Sequence, residues 1–194
     1  GFCCGQEVLF GTSLDLLIWD VMYVPNATGN TLRLAISKGQ AALSTAIFYY
    51  YDFTPQQLGQ PAGNWYDFPK MSRSNNYLFL TANEFTSTSV WVRTVMIKIP
   101  LAGLAAGGGF GYSYFTTTTN FSFGPVQGAT STMYWASHQS TSQIRVYSWP
   151  ESGDISSITS TLVSHSAYPQ NYPYACPGPD ARSWCGRDDD RIYG

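Results

Sequence analysis

A weak internal repeat constrains the fold of this chain more than any other feature of its sequence. Short polar-then-apolar stretches recur at steps of 60 residues (Glu7 to Asp67), 60 residues (Asp67 to Gln127) and 63 residues (Gln127 to Asp190). A fixed period that spans about four strand-like segments is typical of propeller blades. The four stretches are Glu7-Val8-Leu9-Phe10, Asp67-Phe68-Pro69-Lys70, Gln127-Gly128-Ala129 and Asp190-Arg191-Ile192-Tyr193.

The repeat predicts an all-β chain, a β-propeller of four-stranded antiparallel blades that forms a single domain over residues 1–194. The units fall at about residues 6–55, 65–117 and 123–163, and residues 187–194 supply the first strand of a further blade. Three blades and one strand make a partial propeller, since propellers typically close with about four to eight blades. The alternative is a β-sandwich, whose strands are also short and evenly spaced. We prefer the propeller because sandwich strands do not repeat in fours.

Alternating apolar and polar residues place four strands in each unit. The segment Asn26-Ala27-Thr28-Gly29-Asn30 is a hairpin-turn signal between the second and third strands, because Asn and Gly tolerate the required backbone angles. No segment is a convincing helix, and the Ala- and Gly-rich stretch Leu101–Gly109 is predicted to be a loop. The predicted strands are Glu7–Phe10, Leu16–Val24, Thr31–Ser37 and Ile47–Phe53, then Tyr66–Ser72, Tyr77–Asn83, Val90–Ile99 and Phe110–Thr116, and then Val126–Ala129, Thr132–Ser137, Gln143–Trp149 and Ile155–Val163.

Low charge and high aromatic content favour an extracellular β protein. Charged residues make up 11% of the chain, against about 25% in an average soluble protein. Aromatic residues, which favour strands, make up 16%. The net charge of −2 offers no basic stripe to neutralise phosphates, which disfavours nucleic acid as a partner. No apolar run approaches the roughly 20 residues that span a bilayer. We therefore expect an extracellular or cell-surface protein without a transmembrane segment.

The cysteines are expected to form disulfides, which fits an oxidising compartment. Four cysteines allow three pairings, and the sequence leaves the choice between them open. Zinc is disfavoured because its sites need two spaced pairs of ligands or nearby histidines. Two Asn-x-Ser/Thr triplets predict a glycoprotein if the chain enters a suitable secretory pathway. The candidates are Cys3, Cys4, Cys176 and Cys185 for disulfides, and Asn26 and Asn120 for glycosylation.

Four short motifs, spread over most of the chain, carry a family resemblance. They are Gly1-Phe2-Cys3-Cys4-Gly5-Gln6, Trp65-Tyr66-Asp67-Phe68-Pro69, Asn76-Tyr77-Leu78-Phe79-Leu80-Thr81-Ala82-Asn83 and Arg187-Asp188-Asp189-Asp190-Arg191-Ile192. With these motifs the chain resembles secreted, repeat-containing β-propeller proteins, which are mostly bacterial and largely uncharacterised. The resemblance implies a secreted propeller and says little about activity, because fold does not fix function.

A more distant likeness is to sialidase-type propellers. These carry an Asp-box, roughly Ser-x-Asp-x-Gly-x-x-Trp, between the third and fourth strands of a blade. The segment Ser152-Gly153-Asp154-Ile155-Ser156 stands at that place, with Ser156 where the box has Gly and Thr159 where it has Trp. Since an Asp-box is a structural element, this likeness does not by itself imply an enzyme.

Polar residues on the first strands are the candidate ligand contacts, because the first strands of several blades converge on a central channel. The repeat makes Glu7, Asp67, Gln127 and Asp190 equivalent, which predicts a partial ring of acceptors. Nearby arginines offer planar paired donors for a carboxylate. The alternative is that these side chains bind the backbone of neighbouring blades or pair with one another. The full set of candidates is Glu7, Asp67, Arg73, Gln127, Asp190 and Arg191.

No cofactor is expected, with calcium as the one candidate metal. Ca²⁺ favours clustered oxygen ligands, which Asp188-Asp189-Asp190 offers. Alternate residues of a strand share a face, so Asp188 and Asp190 are the candidate pair. The alternative is a solvated acidic corner that pairs with Arg187 and Arg191.

Three classes of function remain, and no catalytic residues are assigned because the chain has neither a nucleophile elbow nor a phosphate-binding loop. We prefer an extracellular propeller module for binding, adhesion or surface assembly, with a glycan as ligand. The alternatives are a sialidase-like glycoside hydrolase or lyase, and a structural subunit of a larger assembly. Further blades or copies of the chain are expected to complete the ring, because an open ring exposes strand edges and apolar faces. The aromatic residues that either stack on sugars or fill the space between blades are Tyr49, Tyr50, Tyr51, Trp65 and Trp184.

Overall fold

A computed structural model describes residues 1–2 and 5–169, and these form twelve strands in three antiparallel sheets. Sheet 1 consists of β1 (Glu7–Gly11), β2 (Leu16–Met22), β3 (Leu32–Lys38) and β4 (Tyr49–Phe53). Sheet 2 consists of β5 (Trp65–Arg73), β6 (Tyr77–Phe85), β7 (Trp91–Pro100) and β8 (Ser113–Thr117). Sheet 3 consists of β9 (Gly124–Pro125), β10 (Thr132–Ser140), β11 (Gln143–Pro150) and β12 (Thr159–Ser164).

Each sheet is a meander in which consecutive strands lie side by side. The pairing is antiparallel throughout, from the β1–β2 register of Glu7 opposite Asp20 to the β11–β12 register of Ile144 opposite Val163. The prediction of an all-β chain built from four-stranded antiparallel sheets is therefore confirmed. None of the three sheets closes on itself.

Three predicted strands are displaced from the strands that form. The first strand of the third unit lies at β9 instead of Val126–Ala129, because the chain turns at Gly128 with a φ of 79°. The fourth strand of that unit begins at Thr159 instead of Ile155, since Asp154 caps a 3-10 helix there. The fourth strand of the second unit begins at Ser113, three residues after the predicted Phe110.

The prediction that no helix forms is wrong. Helix α1 (Gln40–Ser44) lies between β3 and β4, and helix α2 (Leu101–Ala106) occupies most of the predicted Leu101–Gly109 loop. Helix α2 forms because Leu101 and Leu104, three residues apart, bury the same helix face in the core. It ends at Gly107, whose φ of 72° suits a residue without a Cβ atom. With the 3-10 helix Ile155–Ser157, each sheet carries one helical turn between its third and fourth strands.

Sheet 2 lies between the other two sheets, because its two faces bury different residues in two separate cores. Along β6, Leu78 and Leu80 point into the core shared with sheet 1, whereas Phe79 points into the core shared with sheet 3. Along β7, Ile97 belongs to the first core and Met96 to the second. Burial on both faces explains the continuous apolar runs 77–80 in β6 and 95–97 in β7. The first strands also lie near one another, with β1 in contact with β5 and β5 in contact with β9.

Several sequence-based predictions lie outside the described residues. They concern the strand at residues 187–194, the four cysteines, Asp188, Asp190, Arg191 and Trp184. Within the described part of the chain, no helix has both the length and the apolar character needed to cross a bilayer.

Candidate functional site

Glu7 on β1 and Gln127, two residues after β9, bind the backbone of the same residue, Met71 on β5. The Glu7 carboxylate accepts a hydrogen bond from the Met71 amide. The Gln127 side-chain amide donates to the Met71 carbonyl over 3.1 Å. Ser72 extends this link, since its hydroxyl donates to the Val126 carbonyl. These side chains therefore tie the first strands of the three sheets together.

The remaining first-strand candidates are placed differently. Asp67 is half-buried on β5, and one of its carboxylate oxygens accepts a hydrogen bond from the Phe68 amide over 2.7 Å. Arg73 is half-buried at the end of the same strand. Asp190 and Arg191 lie outside the described residues. The structure thus joins Glu7 and Gln127 through Met71 and gives Asp67 a local backbone contact.

Asp20 is a buried carboxyl group that the sequence analysis missed. It lies opposite Glu7 in the β1–β2 register and is completely inaccessible to solvent. Among the described residues, neither of its carboxylate oxygens has a hydrogen-bond partner. Burial, with a further contribution from Glu7, raises the pKa of Asp20 to about 8. Burial also raises the pKa of Glu7, against the opposing effects of the Met71 hydrogen bond and of Lys70. Burial thus favours the protonated, uncharged form of Asp20.

Most of the aromatic candidates for sugar stacking are used in packing. The Tyr49 and Tyr51 hydroxyls donate to the carbonyls of Leu104 and Gly108, and both rings pack against the first core. The Trp65 ring stacks on Phe85 with centroids 5.1 Å apart. Tyr50 stays exposed, with the Arg33 guanidinium 3.8 Å above its ring centroid.

The two glycosylation candidates have opposite environments. Asn26 lies in an exposed turn, where its side-chain oxygen accepts hydrogen bonds from the amide and hydroxyl of Thr28. Asn120 is 1% exposed. Its amide nitrogen donates to Gln139 over 3.0 Å, and its oxygen accepts from the Tyr147 hydroxyl over 2.7 Å. The Asn120 side chain is thus held inside the fold.

A cleft opens where sheet 2 meets the loop of residues 150–154 that connects β11 to the 3-10 helix of sheet 3. We call it the inter-sheet cleft. It has a volume of about 470 Å³ and adjoins a second cavity of about 550 Å³ that shares Tyr112, Ser113 and Asp154 with it. Both volumes fall in the range of about 300–1,000 Å³ that is usual for small-molecule sites. The cleft is also lined by Tyr77, Lys98, Glu151 and Ser152.

Lys98 holds the 150–154 loop against sheet 2. Its ammonium donates to the carbonyls of Pro150, Glu151 and Gly153 over 3.1, 2.6 and 2.9 Å. The ammonium also lies 4.5 Å from the centroid of the Tyr77 ring. Burial lowers the pKa of Lys98, against the attraction of Glu151 and Asp154. All three of its hydrogen-bond donors are engaged within the protein.

Glu151 secures the same loop from its other side. Its carboxylate accepts hydrogen bonds from the Ser74 hydroxyl, the Asn76 amide and the Asn76 side chain, all on the β5–β6 turn. Burial opposes ionisation of Glu151, but these hydrogen bonds and Lys98 hold its pKa below the ordinary value. Side-chain and backbone bonds together fix the position of the loop, so the cleft is formed before any ligand binds.

Asp154 sits at the end of this loop with an exposed carboxylate. One oxygen accepts hydrogen bonds from the hydroxyl and the amide of Ser156 over 2.6 and 2.9 Å, and these hold the pKa of Asp154 below its ordinary value. The Trp149 indole donates to the Gly153 carbonyl over 3.1 Å. The segment that resembles an Asp-box therefore forms a capped turn between β11 and β12.

Sequence reasoning missed the inter-sheet cleft because its walls come from distant segments. Tyr112 was expected within a strand, whereas it precedes β8 and remains 36% exposed with its ring edge-on to Phe53. The nearest sequence signal is the Ser152–Ser156 segment, whose likeness to an Asp-box indicates a structural element and not a binding site. Among residues 1–2 and 5–169, no group of three or more His, Cys, Asp or Glu side chains is placed to hold a metal ion.

Comparisons with known proteins give no match. The chain matches no protein-family model, and neither the curated proteins nor the solved structures yield a match to it.

Proposed function

We propose that this chain is an extracellular β-propeller module that binds a glycan in the inter-sheet cleft. The extracellular location is supported by the low content of charged residues, 11%, and by the Asn26-Ala27-Thr28 triplet, whose Asn26 lies in an exposed turn. The binding role is supported by a preformed cleft that combines aromatic rings with neutral hydroxyl groups and an exposed carboxylate.

The propeller architecture is supported by the way the sheets stack. Three meanders of identical strand order pack face to face, and their first strands lie near one another. A β-sandwich has two packed sheets, whereas radial repetition of four-stranded meanders is the propeller arrangement. The helical turn that recurs between the third and fourth strand of every sheet supports the same repeat.

Further blades or copies of the chain are proposed to complete the ring. On the outer face of sheet 1, Val8 is 63%, Phe10 50% and Tyr50 59% exposed. On the outer face of sheet 3, Tyr134 is 50% exposed. The inward faces of the same sheets are buried against sheet 2, so an additional sheet on either outer face would continue the stacking. These open faces favour a second candidate function, a structural subunit of a larger assembly.

The observation that carries the binding proposal is the position of Tyr112 and Asp154, which border both cavities. Sugars present apolar C–H faces and hydroxyl groups, so they suit an exposed aromatic ring beside a hydrogen-bond acceptor. Tyr112 supplies the ring, and Asp154 supplies an acceptor oxygen. Ser113 and Ser152, both exposed, add hydroxyl groups that donate or accept.

A glycan array probed with the wild type, Tyr112→Ala and Tyr134→Ala tests this proposal. We expect the wild type and Tyr134→Ala to bind the same glycans, and Tyr112→Ala to lose them. Tyr112→Phe keeps the ring and should retain binding. The matched control is Tyr134, because it is an exposed tyrosine on a different sheet face. Equal binding by Tyr112→Ala and the wild type, or no binding by the wild type, would contradict the proposal.

A further inference from the structure

The charged groups of the inter-sheet cleft differ in their availability to a ligand. Lys98 is 4% exposed, and three backbone carbonyls occupy its donors. The Glu151 carboxylate accepts three hydrogen bonds from Ser74 and Asn76. Of these three charged side chains, that of Asp154 is exposed to solvent. A ligand in the cleft therefore meets a carboxylate, while the ammonium of Lys98 is already shielded by protein oxygens.

The net charge of the side chains that line the inter-sheet cleft is also negative. Glu151 and Asp154 carry two negative charges against the positive charge of Lys98, and among the described residues Asp154 alone brings a charge to the adjoining cavity. Ser156 stabilises the ionised form of Asp154 through its hydroxyl and its amide. A carboxylate on the ligand would be repelled, and an ammonium group on the ligand would be attracted.

We infer that the inter-sheet cleft selects neutral and amino-substituted glycans and excludes glycans that carry carboxylates. The inference rests on the proposed function and specifies the ligand class of that site. The inter-sheet cleft differs from a sialidase-type site, where arginines bind the carboxylate of the substrate. Within the described part of the chain, the side chains that line the cleft include no arginine, and the lysine donors are occupied.

Substitution of Asp154 by Asn isolates the effect of its charge. The introduced amide would keep an oxygen that accepts from Ser156, so the capped turn is retained and only the charge is lost. The control is Asp15→Asn, which removes an exposed carboxylate from the β1–β2 turn. The test uses an array with oligogalacturonate beside its neutral methyl ester, and chitosan oligomers beside chitin oligomers, at mildly acidic pH.

We expect the wild type to bind the methyl ester or the chitin oligomers better than oligogalacturonate, and to bind chitosan at least as well as chitin. In Asp154→Asn the preference for ester over acid should fall about fivefold, which is what one charge pair at ~4 Å supplies in water. High salt should reduce the preference of the wild type in the same direction. Asp15→Asn should leave the preference unchanged.

The two proposals fail in different ways. If Tyr112→Ala loses binding but Asp154→Asn keeps the wild-type ratio of ester to acid, charge selection is wrong and the glycan site stands. Charge selection is also wrong if the wild type binds oligogalacturonate in preference to its ester. It is wrong too if the wild type binds other glycans but binds neither the ester nor the chitin oligomers. If binding of every glycan survives in Tyr112→Ala, the proposed site itself is wrong.

Discussion

The ammonium of Lys98 donates a 2.6 Å hydrogen bond to the backbone carbonyl of Glu151, which joins the third strand of sheet 2 to the loop after the third strand of sheet 3. The carboxylate of the same Glu151 reaches the β5–β6 turn through Asn76. Both contacts cross between the sheets. Since side chains that are held in place before binding lose little entropy when a ligand arrives, these contacts make the cleft a preorganised site.

Replacing Lys98 by Met is expected to destabilise the protein by about 1–3 kcal/mol, because three partly buried carbonyls lose their donor. Urea unfolding of both proteins measures the difference. Lys38→Met is the matched control, since the exposed Lys38 donates a hydrogen bond to the Ala105 carbonyl over 3.0 Å, and no second one is found among the described residues. That variant should change stability by less than about 0.5 kcal/mol. Equal effects of the two substitutions would show that the Lys98 contacts do not hold the loop.

Replacing Glu84 by Gln is expected to cost about 3–5 kcal/mol, because the substitution leaves the buried guanidinium of Arg93 without its counter-charge. The pair is 2.6 Å apart, and the Glu84 side chain is completely buried. The matched control is Asp52→Asn, which breaks the 2.7 Å pair with Arg33. Because the Arg33 and Asp52 side chains are 28% and 36% exposed, that change should cost about 0–1 kcal/mol. Chemical denaturation would contradict the account if the control were the more damaging variant.

Asp20 is expected to make the protein less stable as the pH rises. The unfolded chain releases this proton near the ordinary pKa of 3.8, whereas the folded chain retains it until about pH 8. The free energy of unfolding should therefore decrease between those two values and level off above them. Asp20→Asn should match the wild type near pH 4 and be more stable than it near pH 8. Urea titrations at both pH values measure this, and an equal difference at both would contradict it.

The outer face of sheet 1 is expected to mediate association. Light scattering should give a mass of two or more chains of 21.4 kDa, since Val8 and Phe10 leave an apolar surface uncovered. Val8→Glu places a charge on this face and should lower the mass, whereas Thr12→Glu, in the exposed β1–β2 turn, should leave it unchanged. A monomeric wild type at every concentration would argue against association through this face.

The strands and one turn were predictable because their signals are local. Asn26 and Gly29 exchange backbone hydrogen bonds of 2.9 and 3.0 Å in the predicted hairpin turn. Helix α2 has no comparable signal, because six residues are too few to form a stable helix without tertiary contacts. It depends on the burial of Leu101 and Leu104, which only the assembled sheets provide.

The site was less predictable because it depends on contacts between distant segments. The repeat placed Glu7 and Gln127 at equivalent positions but did not indicate that Met71 lies between them. Asp20 has the sequence context of an ordinary strand, and its burial follows from the packing of sheet 1 on sheet 2. The cleft brings Tyr112 together with Asp154, which lies 42 residues further along the chain.

Chemical-shift mapping with the glycan that binds most tightly on the array locates the binding site on the protein. Titration into labelled wild-type protein should shift the backbone amides of residues 111–113 and 152–155, which border the inter-sheet cleft. Shifts confined to Glu7, Arg73 and Gln127 would instead place the ligand at the first strands and contradict the account.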